Sequence, residues 1–364
     1  MQSTPKIEQF IPISEELTKF AYQAFQQSKT VFAVAHNNIS SRLTNLVVEG
    51  RKGRTTPVSA EVLNKLQKRR EKLFEADLQD AVKGVYPANI LFDNPWEDFF
   101  RYYPEILLDL PEIWEKLQKK EYQKFSSDID REGYPAYYLQ NFHQQTNGYL
   151  SDMSANLYDL QVELLFNGAA DAMRRRILAP LKQWLSDFAP TSPEQIKLLD
   201  LACGTGRTLR FIRATLPKAS LFGVDLSPAY LRKANQLLSK IPGELPQLMQ
   251  ANGEELPYLD NYFHALTSVF LFHELPPQAR QRVIEESFRV VKPGGIFIIC
   301  DSMQAIDNPD FKVMMDNFPI IFHEPYYRNY TTDDLVRRLE KAGFENVRTE
   351  NHLVSKYWIA RKPV

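Results

Sequence analysis

Residues 196–228 read IKLLDLACGTGRTLRFIRATLPKASLFGVDLSP: a short apolar run, a turn with two glycines, an amphipathic stretch, and a second apolar run that ends on an acid. Runs 196–201 and 220–225 have the length and aliphatic density of buried strands, and residues 206–214 between them have helical spacing, so the three form a βαβ unit. Ser227 followed by Pro228 starts the next helix, a side-chain oxygen capping free amides and a proline where its missing N–H costs nothing. That helix is expected to reach about Lys240. Further strands are predicted at 246–250, 265–271, 295–300, 345–350 and 355–361, with helices at 277–291 and from a Thr331 cap to just before Gly343. This alternation predicts an α/β fold, a doubly wound, mostly parallel seven-stranded sheet covered by helices on both faces.

In such sheets ligands bind beyond the carboxyl ends of the strands, where the strand order reverses. The first loop there is Asp200-Leu201-Ala202-Cys203-Gly204-Thr205-Gly206, and its glycines allow a sharp turn and close approach of a ligand. Asp225 follows Gly206 by nineteen residues, at the tip of the second strand, where a carboxylate can accept both hydroxyls of a ribose. Loop and acid together point to an adenosine-containing cofactor. A dinucleotide fingerprint would place a third glycine at position 209, which is Leu209, and Asp200 is unfavourable beside a pyrophosphate but favourable beside the ammonium of a methionine moiety. S-adenosylmethionine is therefore expected rather than NAD.

DLACGTG (200–206), VDLSPAYLRKA (224–234), ANGEELPYLDNYFHALTSVFLFHEL (251–275) and RVVKPGGIFIICDS (289–302) together resemble the successive motifs of Rossmann-type S-adenosylmethionine-dependent methyltransferases. Within that family the ubiquinone and menaquinone methyltransferase-like group is the most similar, and the resemblance covers residues 190–364. It implies that Asp200, Gly204 and Gly206 line the methionine end of the cofactor, with Ala202 and Thr205 in the same loop. It also implies that Asp225 holds the ribose, that Leu226 flanks the adenine, and that Phe270 is near the transferred methyl. The third motif of the family reads D-A-x-x-L-P-F, whereas here Asn252-Gly253-Glu254-Glu255-Leu256-Pro257-Tyr258 stands in its place. An Asn carbonyl can accept the same hydrogen bond from the adenine amino group. Ala202 replaces the first glycine of the loop as a small-residue variant.

Methyl transfer from a sulfonium is an in-line displacement from an activated donor, so the protein supplies orientation, exclusion of water and, for a weakly acidic acceptor, a base. His273, just past the fourth strand and followed by Glu274, is a candidate for that base, or else it orients the 277–291 helix. His143 and the run His323-Glu324-Pro325-Tyr326-Tyr327 are further candidates for the acceptor site, against ordinary packing. Residues 134–158 hold five tyrosines with Phe142, His143 and Met153. Two readings stand: a lid, with Tyr138, Phe142 and Tyr149 beside the acceptor, or rings that pack two domains together.

The rest of the chain bounds these readings. Its 364 residues suit about two domains. Helical spacing over 15–33, 59–83, 97–120 and 151–187 precedes the stretch DFAPTSPEQ at 187–195. Three parts are expected: a helical N-terminal domain (1–130), a helical connector able to act as lid (131–190), and the S-adenosylmethionine-binding domain (191–364). Lys plus Arg number 44 and Asp plus Glu 45, so no field favours nucleic acid. The start MQSTPKIEQF lacks a signal-peptide pattern and no run approaches a membrane span, which reads as cytoplasmic. Cys203 and Cys300 abut apolar runs and read as free core thiols; no zinc cluster can be built from them, and no metal site is expected.

Lys65, Lys68, Arg69, Arg70 and Lys72 read as a solvated helix face, as do Arg174, Arg175 and Arg176, although the latter three could reach the cofactor carboxylate. Asp93-Asn94-Pro95-Trp96 partly matches the D/N-P-P-Y/F/W loop of DNA and protein amide methyltransferases but lacks the second proline, a chance match. The resulting expectation is a methyltransferase for a small aromatic, quinone-like or natural-product-like acceptor. The alternatives are a non-catalytic S-adenosylmethionine-binding regulatory protein and a macromolecule methyltransferase docked by its N-terminal domain.

Overall fold

The computed structural model describes residues 15–47, 55–187 and 192–364. The N-terminal decapeptide and residues 188–191 of the expected boundary lie outside the described residues. Six α-helices precede the sheet: α1 (Glu15–Val47), α2 (Ala60–Val82), α3 (Trp96–Lys119), α4 (Asp152–Leu165), α5 (Ala170–Arg175) and α6 (Leu178–Asp187). The sheet-bearing part follows as β1 (Lys197–Leu201), α7 (Arg207–Thr215), β2 (Ser220–Asp225), α8 (Pro228–Leu238), β3 (Gln247–Gln250), β4 (Phe263–Val269), α9 (Pro277–Val290) and β5 (Val291–Ser302). Then come α10 (Lys312–Ile321), α11 (Tyr327–Tyr330), α12 (Leu335–Ala342), β6 (Glu345–His352) and β7 (Ser355–Arg361).

The strand order is β3-β2-β1-β4-β5-β7-β6, and β7 alone runs against its neighbours. This is the doubly wound seven-stranded sheet expected from the alternation of elements. Side chains along each strand divide between two cores, as the period of two requires. Leu198, Leu221, Ala265 and Ile298 face α6, α7 and α8, whereas Leu199, Phe222, Leu266 and Phe297 face α9 and α12. Cys203 and Cys300 are buried free thiols. Among the described residues no helix is long and apolar enough to cross a membrane.

The core does not divide near residue 190. Tyr22 of α1, Leu78 of α2, and Tyr86, Ile90 and Leu91 after it join the same buried cluster as the first sheet face. Polar contacts lock this layer in place. Asp77, fully buried, accepts two hydrogen bonds from Arg175, Nε to Oδ1 at 2.9 Å and Nη2 to Oδ2 at 2.6 Å, and further ones from the hydroxyls of Tyr22 and Tyr86. Arg176 pairs with Asp80 and Arg174 with Asp171. The solvated face expected for Arg174, Arg175 and Arg176 is thus overturned, because each guanidinium turns inward onto a carboxylate.

Several local expectations also change. The single helix predicted over 151–187 breaks after α4 at Asn167 and Gly168, both with positive φ (50° and 82°). A Cβ on Gly168 would come within 2.7 Å of Lys29 Cβ, so the break lets α1 approach. The last helix is capped by Asp334, whose side chain accepts from Arg337 N, and not by Thr331, whose hydroxyl bonds Arg328 O. Helices α10 and α11, absent from the predicted pattern, separate β5 from α12. Asp93 pairs with Arg207 and Arg210 and so docks its loop onto α7.

Candidate active site

Strand order reverses between β1 and β4, and a cavity opens at their carboxyl ends. Ala202 and Gly204 from the loop after β1, Asp225 and Leu226 from the end of β2, Asn252 and Gly253, and Phe270 after β4 all line it. The loop is bent through a series of positive φ angles, 55° at Ala202, 54° at Gly204 and 78° at Gly206. Phe270 also carries φ 61°, so two non-glycine residues on the cavity wall hold a costly backbone conformation. Asp225 is fixed by the backbone: Oδ2 accepts from Gly204 N and Oδ1 from Ser227 N, each at 2.8 Å. The carboxylate therefore ties the first loop to the second strand.

Other residues of the predicted cofactor set support the cavity from behind. Asp200 is buried and accepts from Thr267 Oγ1 at 2.7 Å. Thr205 donates to Asp159 of α4 at 2.8 Å. Gly206 abuts α8, where an added Cβ would be 3.0 Å from Leu238 and 3.1 Å from Ala234. Glu254 turns to the Tyr137 hydroxyl and Arg282. The Asn252 carbonyl oxygen accepts from Glu254 N at 3.0 Å, which leaves its second lone pair for a ligand. Burial pushes the Asp200 carboxyl up to about 7 and that of Asp225 up to about 6.

The aromatic segment closes this same cavity. Tyr138, Phe142 and Tyr149, expected beside the acceptor, line the pocket at the strand ends together with Tyr137 and Tyr158. Tyr138, Phe142 and Tyr149 do not line the second, larger cavity described below, whereas Tyr158 does. Phe142 and Tyr149 stack at 5.7 Å, and Tyr149 meets Tyr230 of α8 edge-on at 5.4 Å. His323 and Tyr326 line neither cavity. His323 stacks on Tyr122, 4.0 Å between ring centres, bonds Gln140 at 2.9 Å, and is lowered to about 4 by burial, so it is a neutral packing residue. The Tyr326 carbonyl accepts from Arg280, and its ring packs on Tyr137.

The second cavity, of about 290 Å³, adjoins the first and shares Tyr158, Phe270 and Glu274 with it. Its walls are mostly apolar: Val58, Leu66, Phe166, Met315, Phe318 and Phe322 among others. The N-terminal helices and α10 thus build it jointly. Arg70, expected on a solvated face, is buried on its wall, and Arg69 bonds Leu353 O at 2.6 Å, whereas Lys68 and Lys72 stay exposed.

His143 and His273 both reach this cavity. His273 Nδ1 is 2.7 Å from Asp301 Oδ1, and its Nε2 is 3.8 Å from Glu274. His143 Nε2 lies 3.4 Å from Glu274 and 3.2 Å from Glu324. Burial acts to lower both imidazoles, but the adjacent carboxylates outweigh it and raise them, Glu324 leading at His143 and Asp301 at His273. Burial raises Glu324 to about 8. Reading the sequence missed Glu274 and Asp301 as candidate site residues, and held Glu324 only as part of the run 323–327 and Tyr158 only as one of five tyrosines. Glu274 and Glu324 adjoin histidines already singled out, and that adjacency was the one usable signal.

The cavity at the strand ends suits the cofactor implied by the loop. Its lining offers the Asp225 carboxylate, open backbone at 202–204, and apolar Leu226 and Ala251. A family profile described as a methyltransferase domain matches residues 198–295. An uncharacterized methyltransferase of Synechocystis sp. is 32% identical over 157 residues, covering 43% of this chain and 70% of the relative. A demethylmenaquinone methyltransferase of Bacillus cytotoxicus is 30% identical over 173 residues, covering 42% of this chain and 72% of the relative. A solved S-adenosylmethionine-dependent methyltransferase from Aquifex aeolicus aligns with a TM-score of 0.38 at 21% identity, over 50% of this chain and 88% of that one. With its motifs in order, its sheet topology and these relatives, the chain belongs to the Rossmann-like, S-adenosylmethionine-dependent methyltransferases.

Proposed function

We propose that this enzyme methylates a small, largely apolar acceptor of the phenol or quinone type, bound in the cavity that adjoins the cofactor pocket. The observation that carries the reading is the shared wall: Tyr158, Phe270 and Glu274 line both spaces, so an acceptor in the apolar cavity would border the methyl donor. Apolar walls with a few convergent polar groups are what a flat aromatic molecule with one or two oxygens requires. Two of the relatives are named as demethylmenaquinone methyltransferases, which supports the same class of acceptor.

S-adenosylmethionine, when bound, supplies a methyl group already activated by the sulfonium. The chain supplies the rest. Asp225 and Asn252 would hold the adenosine, and Asp200 would place negative charge by the methionyl ammonium. Tyr138, Phe142 and Tyr149 would close the pocket against water. The cluster of His143, His273, Glu274 and Glu324 at the seam between the cavities is where an acceptor oxygen would be bound and relieved of its proton.

The test is incubation of pure protein with methyl-labelled cofactor and a panel of hydroquinones, naphthoquinols and phenols, with products read by mass. Label should appear in at least one acceptor and vanish in Asp225→Ala. Unchanged turnover in that variant, or no transfer to any acceptor by protein that binds the cofactor, would refute the reading.

A further inference from the structure

His143, His273, Glu274 and Glu324 come from three separate segments: the turn before α4, the turn after β4, and the turn between α10 and α11. One ligand atom from each lies within 4.8 Å of the others. We infer that these four residues form a binding site for a divalent first-row transition metal ion, placed where the cofactor pocket meets the acceptor cavity. Because the inference assigns a role to the acceptor cavity, it rests on the function proposed above.

The spacing fits such an ion. Ligand atoms about 2.0–2.1 Å from a tetrahedral zinc stand roughly 3.3 Å from one another. The separations here are 3.2 Å for His143 Nε2 to Glu324 Oε1, 3.4 Å for His143 Nε2 to Glu274 Oε1, and 3.8 Å for His273 Nε2 to Glu274 Oε1. The remaining pairs lie within 4.8 Å, so an ion at the centre would draw the side chains inward. Two imidazoles and two carboxylates are a donor set that zinc, ferrous iron and manganese accept.

A second observation is independent of spacing. Glu324 is 3% exposed, and neither of its carboxylate oxygens has a hydrogen-bond partner among the described residues. His143 Nε2 stands 3.2 Å from its Oε1, but a buried carboxylate that accepts no hydrogen bond is costly, and a cation drawn in between the two would compensate it.

Two further features match the support a metal ligand requires. His273 is fixed through Nδ1 by Asp301 at 2.7 Å, which leaves Nε2 turned to the cluster; a carboxylate behind the ring is the usual partner of a ligating histidine. His143 is held at φ 51°, a conformation that costs energy and brings its ring to the seam. Glu274 Oε1 also accepts the Tyr149 hydroxyl, which links the cluster to the cofactor pocket. An ion there would bind an acceptor oxygen directly and lower its pKa, as bound metals do for water.

The test uses chelator-stripped full-length protein titrated with Zn²⁺ or Co²⁺, by calorimetry and by elemental analysis after gel filtration. One equivalent per chain is expected, with the intense visible bands of four-coordinate cobalt. Glu324→Gln and His143→Gln should each weaken binding at least tenfold, and Asp301→Asn about 10–100-fold. His352→Gln, remote from the cluster, should not change it. Cofactor calorimetry on the same samples separates loss of metal from loss of fold. No retained metal, or equal affinity in wild type, Glu324→Gln and His143→Gln, would overturn the assignment. Because metal binding is read without turnover, absence of methyl transfer would refute the acceptor reading while leaving this result intact.

Discussion

Replacing Asp200 by Asn should stabilise the cofactor-free protein while weakening its hold on the cofactor. Asp200 is buried behind the first loop, and burial raises its carboxyl to about 7. An unfolded Asp titrates near 3.9, so the shift is about 3 units, or roughly 4 kcal/mol at 1.36 kcal/mol per unit. Because the folded value is the higher one, the contribution is fully favourable below about pH 4 and is lost as pH rises towards 7. Asn cannot ionise, and its carbonyl can still accept from Thr267. The stability gap between variant and wild type should therefore widen by about 3 kcal/mol between pH 5 and pH 8. For a chain of this size that corresponds to a rise in relative Tm of roughly 4 °C. Urea or thermal denaturation of both proteins without cofactor at the two pH values measures it. A gap that does not depend on pH, or a variant less stable than wild type at pH 8, would show that Asp200 is not a destabilising buried charge. Calorimetry completes the test: affinity for S-adenosylmethionine should fall in the variant, since the methionyl ammonium loses its counter-charge.

Three other perturbations probe the remaining layers. Arg175→Met leaves the buried Asp77 without its bidentate partner and should cost about 3–5 kcal/mol in denaturant titration; a loss below 1 kcal/mol would mean that α2 is not fastened there. Gly206→Ala forces a left-handed conformation onto a residue whose Cβ would press on Leu238 and Ala234. It should cost about 2 kcal/mol and weaken cofactor binding, and an unchanged Tm would refute the packing argument. Met315→Trp fills part of the second cavity, so binding of a naphthoquinone, read by fluorescence quenching, should weaken at least tenfold while cofactor affinity stays the same. Equal loss of both would merge the two cavities into one site.

The legibility of the fold and of the site differed for a physical reason. Strands, the glycine loop and Asp225 were readable because each depends on neighbours within a few tens of residues: aliphatic density, backbone torsion and a carboxylate at a strand tip. The arginine run 174–176 was misread because helical spacing shows which residues share a face but not what that face meets. The carboxylates that draw Arg175 and Arg176 inward, Asp77 and Asp80, lie about a hundred positions earlier. For the aromatic segment the sequence left a lid and domain packing as equal readings; Tyr138, Phe142 and Tyr149 line the pocket at the strand ends, and Tyr158 lines both cavities.

Composition and local pattern alone determined the α/β class and the adenosyl cofactor, because sheet formation and cofactor loops are written in short-range spacing. Tertiary packing alone decided that the N-terminal helices share the sheet's core, that a second apolar cavity exists, and that His143 and Glu324 meet His273 and Glu274 across its seam. Those contacts join segments up to 181 residues apart. No local periodicity encodes such a meeting; it follows from how layers stack once apolar surface leaves water.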